Sequence, residues 1–361
     1  MSRFLQPIKR LVVKVGSSII ATDNMKPEVA HLRSLVNQIC ALLQNKIEVV
    51  LVSSGAIVYG MGELNLSKRP SDLASLQTLA AVGQMVLMNK YNELFKAQRR
   101  QCAQVLLTWD DFSNRPRYNN ARNTFQTMMN LGIVPIVNEN DTISTDEIKF
   151  GDNDKLSALV ASLIHADLLV ILSDVDGVVD LNSEDKKVFE EIKEITGYIE
   201  SAARGTTKNH ISKGGMKAKL EAVKIVTQAK IPCVIASGRV ENVLLRILKG
   251  ERIGTLFVER GEKLLARKHW ISFGAKPQGT ILIDDGARDA LLKRGRSLLL
   301  PGIFSWEGDF KTDEVVVVKD KSGHEIARGI INYSAHDLAR VTDKKGKLEA
   351  IHCDNLVLSD K

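Results

Sequence analysis

Short apolar segments alternate with amphipathic segments over residues 1–260, and this alternation constrains the fold more than any other feature. The apolar, β-branched segments predict strands, and the segments with apolar residues at helical spacing predict helices. Alternating strands and helices indicate a mostly parallel sheet that is covered on both faces. The predicted strands are Leu11–Val15, Ile47–Val52, Val105–Thr108, Ile133–Val137, Leu168–Leu172 and Ile231–Ala236. The clearest predicted helices are Asp72–Gln98, Asn119–Leu131, Asp154–His165 and Met216–Ala229.

Polar residues directly follow four of the predicted strands. They are Gly16-Ser17-Ser18, Ser53-Ser54-Gly55, Asn138–Asp141 and Ser173-Asp174. Ligands of parallel α/β sheets bind beyond the carboxyl ends of the strands. Four polar clusters at one edge therefore predict a ligand site there.

The pattern changes near Pro277. Short β-like segments separated by turn residues follow, together with a predicted helix at Ala287–Arg294. We expect a first domain over residues 1–260, a linker over 261–276 and a compact β-rich domain over 277–361.

Composition excludes several classes of protein. The chain has 361 residues, of which 44% are hydrophobic and 26% charged, values typical of globular proteins. No apolar run reaches the about 18 residues of a membrane-spanning helix, and no signal-peptide pattern opens the chain, so we expect a cytoplasmic protein. The four cysteines lack zinc-ligand spacing, which favours reduced packing residues.

The net charge of +7 is unevenly distributed. Residues 1–276 carry +8 and residues 277–361 carry −1. A small anionic substrate would account for the basic part, whereas nucleic acid is less favoured because no dense run of Lys and Arg with aromatic residues is present. The sequence also lacks the GxxxxGK[ST], GxGxxG, GxSxG and HExxH motifs and the protein-kinase motifs.

Several segments resemble the amino acid kinase family. They are Val12–Ser18, Val52–Ile57, Val137–Asp141, Lys149–Ala158, Leu172–Asp174 and Gly214–Lys219. The tail, with Gly279-Thr280-Ile281 and Asp285-Gly286-Ala287, resembles the PUA domain. The resemblance implies a three-layer α/β/α sandwich of the amino acid kinase type, followed by a small β-rich PUA barrel.

The segments Asn138–Asp141 and Gly151–Asp154 resemble the family members that act on L-glutamate. The implied activity is ATP-dependent phosphorylation of the side-chain carboxylate to L-glutamyl 5-phosphate, the first step of proline biosynthesis, with Mg²⁺ accompanying ATP. Feedback inhibition by proline and a homo-oligomer, dimeric or tetrameric, are also implied. The chemistry is consistent with this, because the carboxylate nucleophile, with a pKa of about 4.3, is ionised at neutral pH and needs no general base.

The resemblance also implies roles for individual residues. The catalytic group is Lys14, Lys219 and Asp154. The residues implied to bind glutamate are Ser54, Asp141 and Asn153. Asp141 would pair with the ammonium group of the substrate, and Asn153 would form a hydrogen bond with the carboxylate of the substrate. The ATP site comprises Lys14, Gly16, Ser173, Asp174, Lys213, Gly214, Gly215, Met216, Lys217, Ala218 and Lys219. Lys213 and Lys217-Ala218 depart from the hydroxyl residues usual in the family, and no metal ligand is implied.

Structural explanations remain open for these residues. Lys14 suits an exposed strand edge, Ser54 a turn, and Asp152–Asp154 a helix N-cap. Arg115–Arg122 resembles a loop near the glutamate site that relatives use in proline inhibition and subunit contacts, or it is a basic surface loop.

Two other functions also stay open. A sibling kinase would act on aspartate, N-acetylglutamate, carbamate or a nucleotide. A non-enzymatic RNA-binding protein would use the PUA-like tail, although the charge of −1 on that tail disfavours strong phosphate binding.

Overall fold

The structure, a computed structural model, describes most of the chain in two compact units. The described residues are 3–4, 6–22, 27–143, 153–180, 183, 187–204, 215–258, 268, 270–340 and 348–359. The first unit comprises Met1–Thr108 and Pro116–Lys263, and the second comprises Trp109–Arg115 and Leu264–Lys361. In the described part of the chain no helix is both long and apolar enough to cross a membrane.

The first unit contains an eight-stranded sheet in the order β3-β4-β2-β1-β5-β7-β8-β6. The strands are β1 (Arg10–Val15), β2 (Glu48–Ser53), β3 (Gln101–Leu107), β4 (Ile133–Glu139), β5 (Leu168–Ser173), β6 (Glu191–Ile192), β7 (Cys233–Ser237) and β8 (Thr255–Phe257). All neighbours are parallel except β7 and β8. The mostly parallel sheet is confirmed, and the carboxyl ends of β1, β2, β4, β5 and β7 share one edge.

Helices cover the sheet. The described helices of the first unit are α1 (Ser17–Ile20), α2 (Val29–Gln44), α3 (Ala56–Glu63), α4 (Leu73–Ala97), α6 (Arg115–Asn130), α7 (Asn153–Leu163), α8 (Gly197–Arg204), α9 (Met216–Gln228) and α10 (Val243–Leu248). Between α4 and α6 in the chain, α5 (Trp109–Ser113) belongs to the second unit. The predicted start of the longest helix is correct because Asp72 caps it, accepting a hydrogen bond from the Ser75 amide at 2.8 Å.

Alternation along β1 assigns its side chains to the two faces of the sheet. Leu11, Val13 and Val15 belong to a buried core with side chains of α2 and α4. Because the side chains of a strand alternate, Lys14 lies on the opposite face, where α7 and α9 pack against each other. Lys14 is therefore a buried lysine of the central strand, not an exposed edge lysine.

One prediction about local structure is corrected, and one helix was missed. Arg115–Arg122 is not a loop but the first turns of α6. Pro116 stands in the first turn of that helix, where its missing N–H costs no hydrogen bond. The helix α3 was not predicted, and Gly60 and Gly83 allow it to pack tightly on α4. A Cβ at Gly83 would lie 1.8 Å from the Ala56 carbonyl oxygen.

The second unit is rich in short strands. Its strands are β9 (Gly279–Ile283), β10 (Leu298–Leu299), β11 (Ile303–Glu307), β12 (Val315–Lys319), β13 (Glu325–Ile330), β14 (Glu349–Ile351) and β15 (Leu356–Leu358), and its further helices are α11 (Asp285–Arg294) and α12 (Ala335–Arg340). Five strands form a sheet in the order β11-β9-β12-β13-β15 over an aliphatic core. Trp270–Gly274, within the predicted linker, forms a π-helical turn. Trp270 packs in this unit and donates from Nε1 to the Phe112 carbonyl at 2.6 Å.

Candidate active site

Two lysines share one buried carboxylate at the carboxyl edge of the first sheet. Lys14, near the end of β1, forms an ion pair with Asp154 Oδ1. Lys219, in the first turn of α9, places Nζ 3.1 Å from Asp154 Oδ2. The structure therefore brings together the three residues expected to be catalytic.

This Lys14–Asp154–Lys219 cluster is almost excluded from water. Asp154 is 0% exposed, Lys14 5% and Lys219 4%. Together, the two ammonium groups and the one carboxylate of this cluster carry a formal charge of +1. A buried charge is costly unless it is paired. The arrangement suits an anionic ligand that completes the neutralisation.

Backbone groups at the ends of three neighbouring strands frame the space beside Lys14. The Gly16 amide donates to the Leu172 carbonyl at 3.1 Å, and the Ser54 amide donates to the Val15 carbonyl at 3.1 Å. A Cβ at Gly16 would lie 3.9 Å from Lys14 Nζ without a clash. Glycine thus keeps open the space next to the ammonium, although the protein itself would tolerate a methyl group.

The N-terminus of α9 lies beside the cluster, because Lys219 in its first turn reaches Asp154. Gly215 is the N-cap in extended conformation, Met216 is buried and Lys217 is exposed. The positive end of a helix dipole and its amides attract anions. Lys213 and Gly214, also expected at this site, lie outside the described residues.

Ser173 and Asp174 stand where β5 ends. Ser173 is buried and donates from Oγ to Asp174 Oδ1 at 3.0 Å, and its carbonyl accepts from the Gly238 amide at 2.8 Å. The pair therefore belongs to the same edge of the sheet as Gly16 and the Leu172 carbonyl.

Ser54 and Asn153 are in direct contact. Asn153 opens α7 and donates from Nδ2 to Ser54 Oγ at 3.0 Å. The same nitrogen donates to Asn138 Oδ1 at 2.8 Å. Asn138 in turn donates from Nδ2 to Gln84 Oε1 at 2.8 Å. The sequence indicated Asn138 only as part of the segment Asn138–Asp141, and it gave no indication of Gln84.

Asp141 follows β4 by two residues and is half-buried. Burial raises the pKa of its carboxyl group to about 6, and the nearby Arg69 guanidinium partly opposes this rise. Asp141 therefore titrates closer to neutrality than an exposed carboxylate. Arg69 was not predicted because it lies in a polar connection between α3 and α4 with no periodic pattern.

The described residues contain one cluster with metal-ligand chemistry, His352, Cys353 and Asp354, and it lies in the second unit. The carboxylate of the first unit's cluster, Asp154, is already held by two ammonium groups. This site therefore fits phosphate oxygens rather than a protein-bound cation.

Known proteins resemble this chain in sequence and in domain content. The sequence profile of the amino acid kinase family matches residues 9–237, and that of the PUA domain matches residues 279–352. A glutamate 5-kinase of Caldanaerobacter subterraneus subsp. tengcongensis is 43% identical over 366 residues, covering 98% of both chains. A glutamate 5-kinase of Dictyoglomus thermophilum is 46% identical over 374 residues, with the same coverage. Carbamate kinase from Giardia lamblia bound to AMP-PNP aligns over 70% of this chain and 99% of its own, with 18% identity and a TM-score of 0.48.

The chain belongs to the amino acid kinase family and carries a C-terminal PUA domain. Within that family it belongs to the group that contains these glutamate 5-kinases. The expected three-layer sandwich with a β-rich tail is thereby confirmed.

Proposed function

We propose that the chain catalyses ATP-dependent phosphorylation of the side-chain carboxylate of L-glutamate to L-glutamyl 5-phosphate, the first step of proline biosynthesis. The observation that carries the proposal is the buried cluster of two lysines around Asp154 in a chain 43–46% identical to glutamate 5-kinases.

The reaction is a direct displacement at phosphorus. An oxygen of the ionised side-chain carboxylate forms a bond to the γ-phosphorus of ATP, the bond from that phosphorus to the β,γ-bridging oxygen breaks, and ADP leaves. The nucleophile has a pKa of about 4.3, so no base is required. Catalysis of this kind depends on positioning and on stabilising the charge of the transferring group.

Lys14 and Lys219 supply that stabilisation. Their ammonium groups approach from different elements, β1 and α9, and so would contact different oxygens of the transferring phosphoryl group. Asp154, between them, aims both side chains and offsets their mutual repulsion. The remaining single positive charge favours the dispersed negative charge of the transition state.

ATP occupies the edge formed by Gly16, Ser173-Asp174 and the first turn of α9. Gly215, Met216, Lys217 and Ala218 line that turn, and the resemblance adds Lys213 and Gly214. Mg²⁺ arrives as part of the Mg-ATP substrate, since it typically binds through phosphate oxygens and retains water ligands.

Glutamate occupies the neighbouring region at the ends of β2 and β4. Ser54, Asn153 and Asp141 bind its polar groups, with the Asp141 carboxylate facing the α-ammonium. Proline inhibition and assembly into dimers or tetramers are part of the proposal, and Arg115–Arg122 at the start of α6 is the segment we associate with them.

A substrate panel tests the activity. We expect ADP release from Mg-ATP with L-glutamate, and much less with aspartate, N-acetylglutamate or carbamate, because only a free amino acid of this length presents both an ammonium and a distal carboxylate. A preference for N-acetylglutamate or carbamate would overturn the proposal in favour of a sibling substrate.

RNA binding through the second unit is a further candidate function, favoured by its match to the PUA domain. Residues 277–361 carry a net charge of −1, which disfavours binding driven by phosphate contacts. Binding of the full chain to a structured RNA, titrated from low to moderate salt, tests it. Affinity that survives moderate salt supports this function, and its loss contradicts it.

A further inference from the structure

The orientation of the Asn138 side-chain amide is fixed by the backbone. The Glu139 amide donates to Asn138 Oδ1 at 2.9 Å, so the atom in this position must be the oxygen. The nitrogen then points the other way and donates to Gln84 Oε1 at 2.8 Å. Asn138 is buried, and Gln84 supplies the acceptor that its nitrogen requires.

This orientation dictates that of Asn153. Its side chain faces two groups that can only accept, Asn138 Oδ1 at 2.8 Å and the Ser53 carbonyl at 3.3 Å. A nitrogen must therefore occupy this position. Two independent acceptors determine the choice, and Ser54 Oγ at 3.0 Å is compatible with it because a hydroxyl can also accept.

The opposite atom, Asn153 Oδ1, is buried and has no hydrogen-bond partner within the part of the chain that the structure describes. Asn153 is 7% exposed, so bulk water does not satisfy this oxygen. An amide oxygen only accepts hydrogen bonds, and buried polar atoms of folded proteins are normally paired. The group that pairs with it from a ligand must be a donor.

We propose that Gln84 and Asn138 are positioning residues that hold Asn153 with its oxygen directed at the substrate, so that Asn153 accepts a hydrogen bond from the α-ammonium of the bound amino acid. This assignment rests on the proposed glutamate-binding function and replaces the carboxylate contact implied for Asn153 by the resemblance. Asp141 lies two residues beyond β4, the strand whose Asn138 contacts Asn153, and so brings a carboxylate to the end of that strand. Asn153 and Asp141 together then form a site for a cation rather than for the α-carboxylate.

Truncated substrates separate the two assignments. Glutarate lacks the α-ammonium, and 4-aminobutyrate lacks the α-carboxylate. For the full chain and its Asn153→Ala variant, we would measure KM for L-glutamate and competitive Ki values for both analogues. We expect Asn153→Ala to raise the KM for L-glutamate and the Ki of 4-aminobutyrate by about tenfold or more, the effect of losing a hydrogen bond to a charged group. The Ki of glutarate should change less than about twofold.

If Asn153→Ala weakened the binding of glutarate and L-glutamate equally and left the binding of 4-aminobutyrate unchanged, Asn153 would contact the α-carboxylate. That result would overturn the proposal. Equal weakening of all three ligands would leave only a structural role and would also overturn it. Failure of the proposed function is distinguishable, because the wild-type chain would then not phosphorylate L-glutamate at all.

Variants of Gln84 test the positioning part without any analogue. Gln84→Leu removes the acceptor for Asn138 Nδ2, whereas Gln84→Glu keeps an oxygen there. We expect Gln84→Leu to raise the KM for L-glutamate about three- to tenfold, with kcat and the KM for ATP little changed, and Gln84→Glu to restore most of the affinity. Gln98→Leu is the matched control, since Gln98 is the C-cap of α4 and its side-chain nitrogen donates to Asn37 Oδ1 at 3.0 Å, outside the site. An unchanged KM for L-glutamate in Gln84→Leu contradicts the positioning role. An equal rise of this KM in Gln84→Leu and Gln84→Glu contradicts it as well.

Discussion

The ammonium of Lys219 lies 3.1 Å from the carboxylate of Asp154, although 65 residues separate them in sequence. This contact joins the first turn of α9 to the first turn of α7. Lys14 holds the other carboxylate oxygen from β1, so three elements meet at one buried charge. The activity and the stability of the first unit should both depend on this cluster.

Removal of either ammonium should abolish most of the activity. We expect Lys14→Met and Lys219→Met each to lower kcat about 10²- to 10³-fold, the effect of losing one group that stabilises transition-state charge. Asp154 keeps one lysine partner in each variant, so the fold should persist. Steady-state kinetics with a circular dichroism melt check this. Lys249→Met, which removes an exposed lysine outside the site, is the control and should match wild type.

Removal of the carboxylate should damage stability as well as rate. Asp154→Asn leaves two buried ammonium groups without their counter-ion, and breaking a buried ion pair in this way costs about 3–5 kcal/mol. Urea denaturation of the variant and of Lys14→Met would measure the difference. If the free energy of unfolding fell no more in Asp154→Asn than in Lys14→Met, the carboxylate that the two lysines share would not stabilise the fold as we describe.

A methyl group at Gly16 should weaken ATP binding without harming the fold. Its φ of −76° is accessible to alanine, and a Cβ would make only ordinary contacts with the protein. Because that Cβ would occupy the space 3.9 Å from Lys14 Nζ, we expect Gly16→Ala to raise the KM for ATP about tenfold or more. The KM for glutamate and the melting temperature should change little. Equal effects on both substrates would contradict this assignment of Gly16.

The affinity for glutamate should fall in mild acid. Burial raises the pKa of Asp141 to about 6, so the group loses its negative charge as pH falls through this value. The α-ammonium then loses its counter-ion, and kcat/KM for glutamate at saturating Mg-ATP should decrease about tenfold per pH unit below 6. Asp141→Asn should have a lower kcat/KM for glutamate at every pH, and its pH profile should lack the change of slope near pH 6. A break that persists in the variant would assign the titration to another group.

Much of the first unit could be predicted from its sequence pattern. The helix predicted over 72–98 is observed at 73–97, and the strand predicted over 133–137 is observed at Ile133–Glu139. The strand predicted over 105–108 begins four residues earlier, at Gln101, because its first residues are polar or small. The two-residue strand β6 and the three-residue strand β8 were missed because so few residues carry no periodic signal. The start of α6 was placed too late because its first turns are polar and basic.

The polar residues at the strand ends indicated where the candidate site lies, but only the structure shows which side chains contact one another there. The position of Lys14, followed by Gly16, indicated a ligand, whereas the reach of Lys219 to Asp154 depends on how α7 and α9 pack. The role of Gln84 was not predictable, because its bond to Asn138 joins residues 54 positions apart. The orientation of a side-chain amide follows only from its neighbours in space.

The most direct test of the account is trapping of the acyl phosphate. The purified full chain, L-glutamate, Mg-ATP and hydroxylamine should yield γ-glutamyl hydroxamate in step with ADP, with loss of this product in Lys14→Met and its retention in Lys249→Met. Addition of proline should reduce the wild-type rate. ADP release without hydroxamate, or hydroxamate formed equally by Lys14→Met, would contradict phosphoryl transfer to the glutamate side chain at the Lys14–Asp154–Lys219 cluster.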